Sequence, residues 1–135
     1  ADGVKAVGST AELFQTCQIV SLHIPATAET KGSINFALMS TMPKGAIVIN
    51  TARKEVMDEA GLAQMFDNRP DFKYLTDVMP AIHADLSETY TGRYFSTPKK
   101  MGAQTAEANI NAGIAAAKQI VDFLENGNRK YQVNK

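Results

Sequence analysis

The stretch that most constrains this chain runs from Gly45 to Glu59, GAIVINTARKEVMDE. Ala46 to Ile49 is an unbroken apolar run rich in β-branched residues. Such a run suits a central parallel strand buried on both faces. The chain turns polar at once, at Asn50, Thr51 and Arg53, and Asp58 and Glu59 lead into a helical pattern. A buried strand therefore ends in an arginine just before a helix. In open α/β sheets, ligands bind off the carboxyl ends of the strands. An arginine there offers a planar, permanently charged fork that matches a carboxylate. The plain alternative is a solvated strand-end arginine.

The flanking sequence repeats the alternation of strand and helix. Ser9 is a helix N-cap ahead of Leu13 and Phe14, and Gln18 to His23 reads as a strand stopped by Pro25. A short helix is expected over about 33–40, and a longer one over 56–66 with Asp58 and Glu59 near its positive end. Phe72 to Met79 reads as a third strand with Asp77 near its tip, followed by a polar loop to Gly92 with a helical turn near 85–89. Arg93 to Thr97 reads as a fourth strand, closed by Pro98. A long helix is expected from about Gln104 to Glu125, ended by Asn126-Gly127. Its stripe of Ile110, Ile114, Ala117, Val121 and Leu124 suits core or domain-interface packing. The room between strands allows a crossover at each step, so the sheet is expected to be parallel. The fold class is α/β, part of a doubly wound sheet with a long C-terminal helix. No Gly-x-Gly-x-x-Gly follows any strand, so a dinucleotide phosphate loop is missing from these residues.

Composition narrows the function. Fourteen basic and fourteen acidic residues cancel, and no basic run of five or more occurs, which argues against a nucleic-acid surface. No apolar run approaches the ~20 residues of a membrane span. The single cysteine, Cys17, rules out an internal disulfide and fits a reducing, cytoplasmic setting. Its apolar context suggests a buried, inert thiol. Two histidines and one cysteine lie far apart, so no metal site is expected. His83 is expected to be exposed on a polar loop.

Four segments in one order, SLHIPATAETKGSI, MPKGAIVINTARKEVMDE, LTDVMP and STPKKMGAQTAEAN, resemble the D-2-hydroxyacid dehydrogenases over nearly the whole chain. The branch of that family acting on phosphoglycerate stands nearest. The resemblance implies the second half of an NAD-binding Rossmann domain over 1–103, and a crossover helix and tail towards a substrate domain over 104–135. It implies that His23 and Pro25 border the cofactor, that Thr51 and Ala52 lie beside its nicotinamide, and that Asp77 bonds the nicotinamide carboxamide. Arg53 matches the arginine that grips the substrate carboxylate. The implied reaction is NAD-dependent oxidation of the C2 hydroxyl of 3-phosphoglycerate to the ketone, in serine biosynthesis, by a homodimer. Alternatives are a glyoxylate, hydroxypyruvate or D-lactate reductase, or a non-catalytic NAD(H)-sensing corepressor. The phosphate loop, the acidic ribose selector and the substrate domain are expected in preceding sequence, and no regulatory domain after Lys135.

The sequence departs from the family at three points. Thr97-Pro98 is followed by Lys99-Lys100 rather than histidine. The position of that histidine's acidic partner is Ile82, with Asp85 and Glu88 the nearest acids. Lys54-Glu55 stands where a glycine pair is common. The first two belong together. A carboxylate steadies an imidazolium, whereas a lysine base needs its neutral form, which neighbouring positive charge favours. Lys99 or Lys100 is therefore the candidate acid/base. Counting from Thr97-Pro98 selects Lys99, and counting back from Gly102-Ala103 selects Lys100. The plain alternative is a solvated or phosphate-binding pair.

Overall fold

The apolar run is a strand with a parallel neighbour on each side. In the computed structural model, which describes residues 3–100 and 105–134, the elements follow in the order α1 (Thr10–Thr16), β1 (Ile19–Leu22), α2 (Phe36–Met39) and β2 (Ile47–Asn50). A 3-10 turn (Lys54–Val56), α3 (Glu59–Asn68), β3 (Lys73–Thr76), α4 (His83–Thr89), β4 (Tyr94–Ser96) and α5 (Ala106–Asn126) complete the chain. The sheet order is β1-β2-β3-β4, parallel throughout. The chain falls into two compact units, Ala1–Lys100 and Met101–Lys135. The boundary expected between 103 and 104 lies outside the described residues, as does the expected helix start at Gln104.

Strands that advance in one direction by right-handed crossovers carry their connecting helices on one face. That face holds the core. Val20, Leu22, Val48 and Tyr74 from the strands pack with Phe14, Leu62, Met65, Phe66 and Leu86 from the helices. Each such aliphatic or aromatic burial contributes about 1.5–3 kcal/mol. The opposite face is not buried within this unit: Ile47 and Ile49 are half-buried, and Ile19 and Phe95 are 56% and 60% exposed. The expectation that β2 is buried on both faces thus fails here, because the crossovers all cover the same side. Cys17 is half-buried against the core.

The helix expected over 56–66 begins only at Glu59. The 3-10 turn and an isolated parallel bridge between Ile34 and Met57 come first, with Gly32 N–H donating to Glu55 O (2.9 Å), Ile34 N–H to Val56 O (3.0 Å) and Asp58 N–H to Ile34 O (3.0 Å). The same pairing shortens α2, which starts after Asn35 caps Leu38 N–H (2.9 Å). At Gly61 a β-carbon would lie 2.6 Å from Phe36 N, so glycine is what lets α3 approach the start of α2. Ser9 caps α1 as its sequence suggests, accepting Glu12 N–H (3.1 Å).

The amino ends of the strands are tied by Arg69 and Asp71. Arg69 pairs with Asp71 (2.6 Å) and donates to the carbonyls of Met42 (2.9 Å) and Pro43 (3.0 Å), while Asp71 accepts Gly45 N–H (2.7 Å). The Arg69 hydrogen bonds, then the Gly45 amide, hold the Asp71 carboxyl far below the usual carboxylate range. A carboxyl group depressed in the folded state stabilises above its unfolded pKa and loses that contribution as pH falls through the folded value. Stability should therefore decline below about pH 4. Asp71→Asn should cost about 1–2 kcal/mol at neutral pH and flatten that acid decline, read by chemical denaturation across pH.

In the second unit, Thr105 caps α5 by accepting Ala108 N–H (3.0 Å), and Gly127 ends it in the left-handed conformation. No side chain of α5 is buried, and Ile110 and Leu124 are 61% and 74% exposed. The α5 stripe is therefore not core within its unit.

Candidate active site at the carboxyl ends of the strands

Parallel register lines up the strand ends. Leu22 pairs with Asn50, Asn50 with Thr76, and Thr76 with Ser96. The next residues, His23, Thr51, Asp77 and Thr97, consequently form a row along one edge of the sheet. Three of the sequence-derived candidates belong to this row, and Ala52 and Arg53 follow directly in the chain. His23, Pro25, Thr51 and Arg53 are exposed, Ala52 is half-buried, and Asp77 is 7% exposed. His23 Nε2 lies 2.9 Å from Ser21 Oγ, a local contact at the strand end.

The hook at 51–53 is shaped by a buried side chain. Asn50 is wholly buried. Its Oδ1 accepts Ala52 N–H (3.0 Å), and its Nδ2 donates to Arg53 O (3.0 Å) and Tyr74 Oη (3.1 Å). Burial holds the Tyr74 hydroxyl above the ordinary tyrosine range, so it stays neutral and can accept that bond. From the next strand, Thr76 Oγ1 donates to Asn50 O (2.7 Å) and accepts Val78 N–H (3.0 Å). The second of these bends the chain off β3, which therefore ends at Thr76 rather than near Met79.

Lys100 closes the site from β4. Thr97 Oγ1 donates to Lys99 O (2.7 Å), turning the chain back towards β2. Lys100 Nζ then donates to Ala52 O (2.9 Å) and Thr51 O (3.1 Å), while Lys99 is exposed. Arg53 Nη1 donates to the same Ala52 carbonyl (2.8 Å). Two cations thus meet on one carbonyl oxygen, and among the described residues neither forms an ion pair with a carboxylate. Like charges held together lower each other's tolerance for a third cation and favour an anion placed between them.

The loop after β3 departs from expectation at His83. It opens α4 half-buried, with Nδ1 2.8 Å from Tyr94 Oη and its ring edge against Tyr94, rather than lying free on a polar loop. Ile82 packs against the core, and Asp85 and Glu88 are exposed on α4. Glu59 Oε1 accepts Ala81 N–H (2.8 Å), anchoring this loop to α3. Asn50, Tyr74 and Glu59 were not singled out from sequence. The available signal was Asn50, a polar residue at the end of an apolar β-branched run.

Among the described residues no group of three or more His, Cys, Asp or Glu is placed to hold a metal ion. The row sets the Asp77 carboxylate beside an arginine, while Lys100 and Arg53 already engage the Thr51 and Ala52 carbonyls. An acceptor beside a guanidinium is chemistry that suits a carboxamide next to a carboxylate.

A parallel sheet with its polar residues gathered at the carboxyl ends of the strands defines an open α/β protein, the class in which ligands bind at that edge. Residues 1–91 match the model of the D-isomer specific 2-hydroxyacid dehydrogenase NAD-binding domain, and the chain belongs to that family. It is 36% identical to D-3-phosphoglycerate dehydrogenase of Haemophilus influenzae, over 96% of this chain and 33% of that one. With the Bacillus subtilis enzyme of the same name it shares 30% identity, over 84% of this chain and 22% of that one. The chain spans about a third or less of these relatives. The NAD+-bound crystal structure of 3-phosphoglycerate dehydrogenase from Entamoeba histolytica superposes with a TM-score of 0.80 at 47% identity, covering 100% of this chain and 45% of that one. No helix among the described residues is long and apolar enough to cross a membrane.

Proposed function

We propose that this chain supplies the second half of the cofactor domain of an NAD-dependent dehydrogenase that oxidises 3-phosphoglycerate at C2. The observation that carries the proposal is the meeting of Arg53 and Lys100 on the Ala52 carbonyl. A 2-hydroxy acid needs a cationic fork for its carboxylate and a proton acceptor for its hydroxyl. Arg53 serves as the fork. Lys100, rather than Lys99, is the lysine that reaches the Arg53 hook, and as the neutral amine it takes the hydroxyl proton at Nζ. Asp77 would hold the carboxamide of NAD, with Thr51 and Ala52 lying beside the nicotinamide, and His23 and Pro25 would border the cofactor further along the row. NAD, when bound, would supply the acceptor for the hydride that leaves C2. Loss of that hydride and of the hydroxyl proton leaves the ketone. Holding C2 and its hydroxyl in register is the chief task of the chain. The names of the relatives support 3-phosphoglycerate over other 2-hydroxy acids. Homodimerisation and a cytoplasmic setting belong to the same proposal.

The non-catalytic alternative draws on Ile82, a core-packed residue at the family's acidic position. NADH formation by the full-length protein, with 3-phosphoglycerate, D-lactate and glycerate compared at equal concentration, decides. Fastest turnover is expected with 3-phosphoglycerate. NAD binding without turnover of any acid would overturn the enzymatic reading.

A further inference from the structure

We infer that Asn50 and Tyr74 are positioning residues that set the Arg53 hook for substrate. The inference rests on the assignment of Arg53 to the substrate carboxylate. Asn50 uses both amide hydrogens and one oxygen lone pair on three separate partners, Arg53 O, Tyr74 Oη and Ala52 N–H. Two of these are the backbone atoms that bracket the turn carrying Arg53. The third, on β3, keeps the amide from rotating. Thr76 pins the Asn50 carbonyl from the same strand. The hook therefore has little freedom of its own, and the Ala52 carbonyl that receives both cations is aimed by the amide of the same residue. Only a side chain with both a donor and an acceptor meets this demand. An aspartate at position 50 would face the Arg53 carbonyl with a charge and no hydrogen, and a leucine would leave Ala52 N–H and Arg53 O unpaired.

A purely structural residue would lower stability and leave substrate recognition alone, so the test separates the two. Asn50→Asp and the milder Tyr74→Phe are made in the full-length protein, alone and together with Arg53→Ala. Asn50→Asp is expected to lower kcat/KM for 3-phosphoglycerate by on the order of 10–100-fold, mainly through KM, and Tyr74→Phe by several-fold. NAD affinity should fall less than kcat/KM, because only Thr51 and Ala52 of the residues assigned to the cofactor lie on this hook. In the Arg53→Ala background both changes should have almost no further effect, because the group they position is gone. Equal effects in both backgrounds, or an unchanged KM in variants that keep their melting temperature, would overturn the inference. If the parent protein turns over no 2-hydroxy acid, the functional reading fails separately. Hydrogen exchange then decides the positioning role. Loss of Ala52 amide protection in folded Tyr74→Phe or Asn50→Leu supports it, and retained protection overturns it.

Discussion

Arg53→Ala is expected to lower kcat/KM for the 2-hydroxy acid by about 10³-fold while leaving NAD affinity within about twofold. The guanidinium provides two parallel donors to a carboxylate, and those bonds are stronger than neutral ones by roughly a factor of two. It also lies on the Ala52 carbonyl beside Lys100, so its removal takes the permanent positive charge from the place proposed for the substrate carboxylate. Arg53→Lys should recover little, because a point charge on a flexible stem cannot reproduce the planar fork. Steady-state kinetics with separate titration of NAD check this. A variant that binds substrate normally, with KM unchanged, would show that Arg53 is only a solvated strand-end residue.

Lys100→Ala is expected to lower kcat by about 10²–10⁴-fold, the usual range for loss of a positioned acid or base. Lys99→Ala should remain within about threefold of the parent, since its side chain is exposed and does not reach the hook. The contrast matters because Lys100 could instead act only by holding the Thr51 and Ala52 carbonyls. Rescue distinguishes the roles. If Lys100 moves the proton, a small primary amine in solution should restore turnover of the alanine variant in proportion to its concentration. A holding role would give no such rescue. Strong loss in Lys99→Ala with little in Lys100→Ala would reverse the assignment.

Much of this site was legible because strand ends are marked by composition. The change from Ala46–Ile49 to Asn50-Thr51 locates the end of β2, whereas β3 stops at Thr76, short of the expected Met79, and leaves Asp77 directly after it. The family resemblance then implies roles for Arg53 and Asp77, which the proposed function adopts. The choice between Lys99 and Lys100 was not legible, because the two counts differ by one residue. It turns on a hydrogen bond from Thr97 Oγ1 to Lys99 O that redirects the following side chain. The shape of the Arg53 hook was equally hidden. Asn50 works through Tyr74, whose sequence separation from it is 24 residues, and no local pattern reports such a pair.

The start of α3 shows the same division at the level of the fold. Val56 and Met57 carry a helix-compatible pattern, yet the backbone pairs with 32–34 and the helix waits until Glu59. Periodicity of apolar residues, proline and glycine placement and strand spacing were enough to determine a parallel α/β unit and its order of elements, and to point to the sheet edge proposed as the site. These are local properties of a chain that must bury one side of each element. Which lysine meets Arg53, what holds the hook and which face of β2 is covered depended on contacts between residues distant in sequence. Only the assembled sheet, with its register fixed by every strand at once, could decide them.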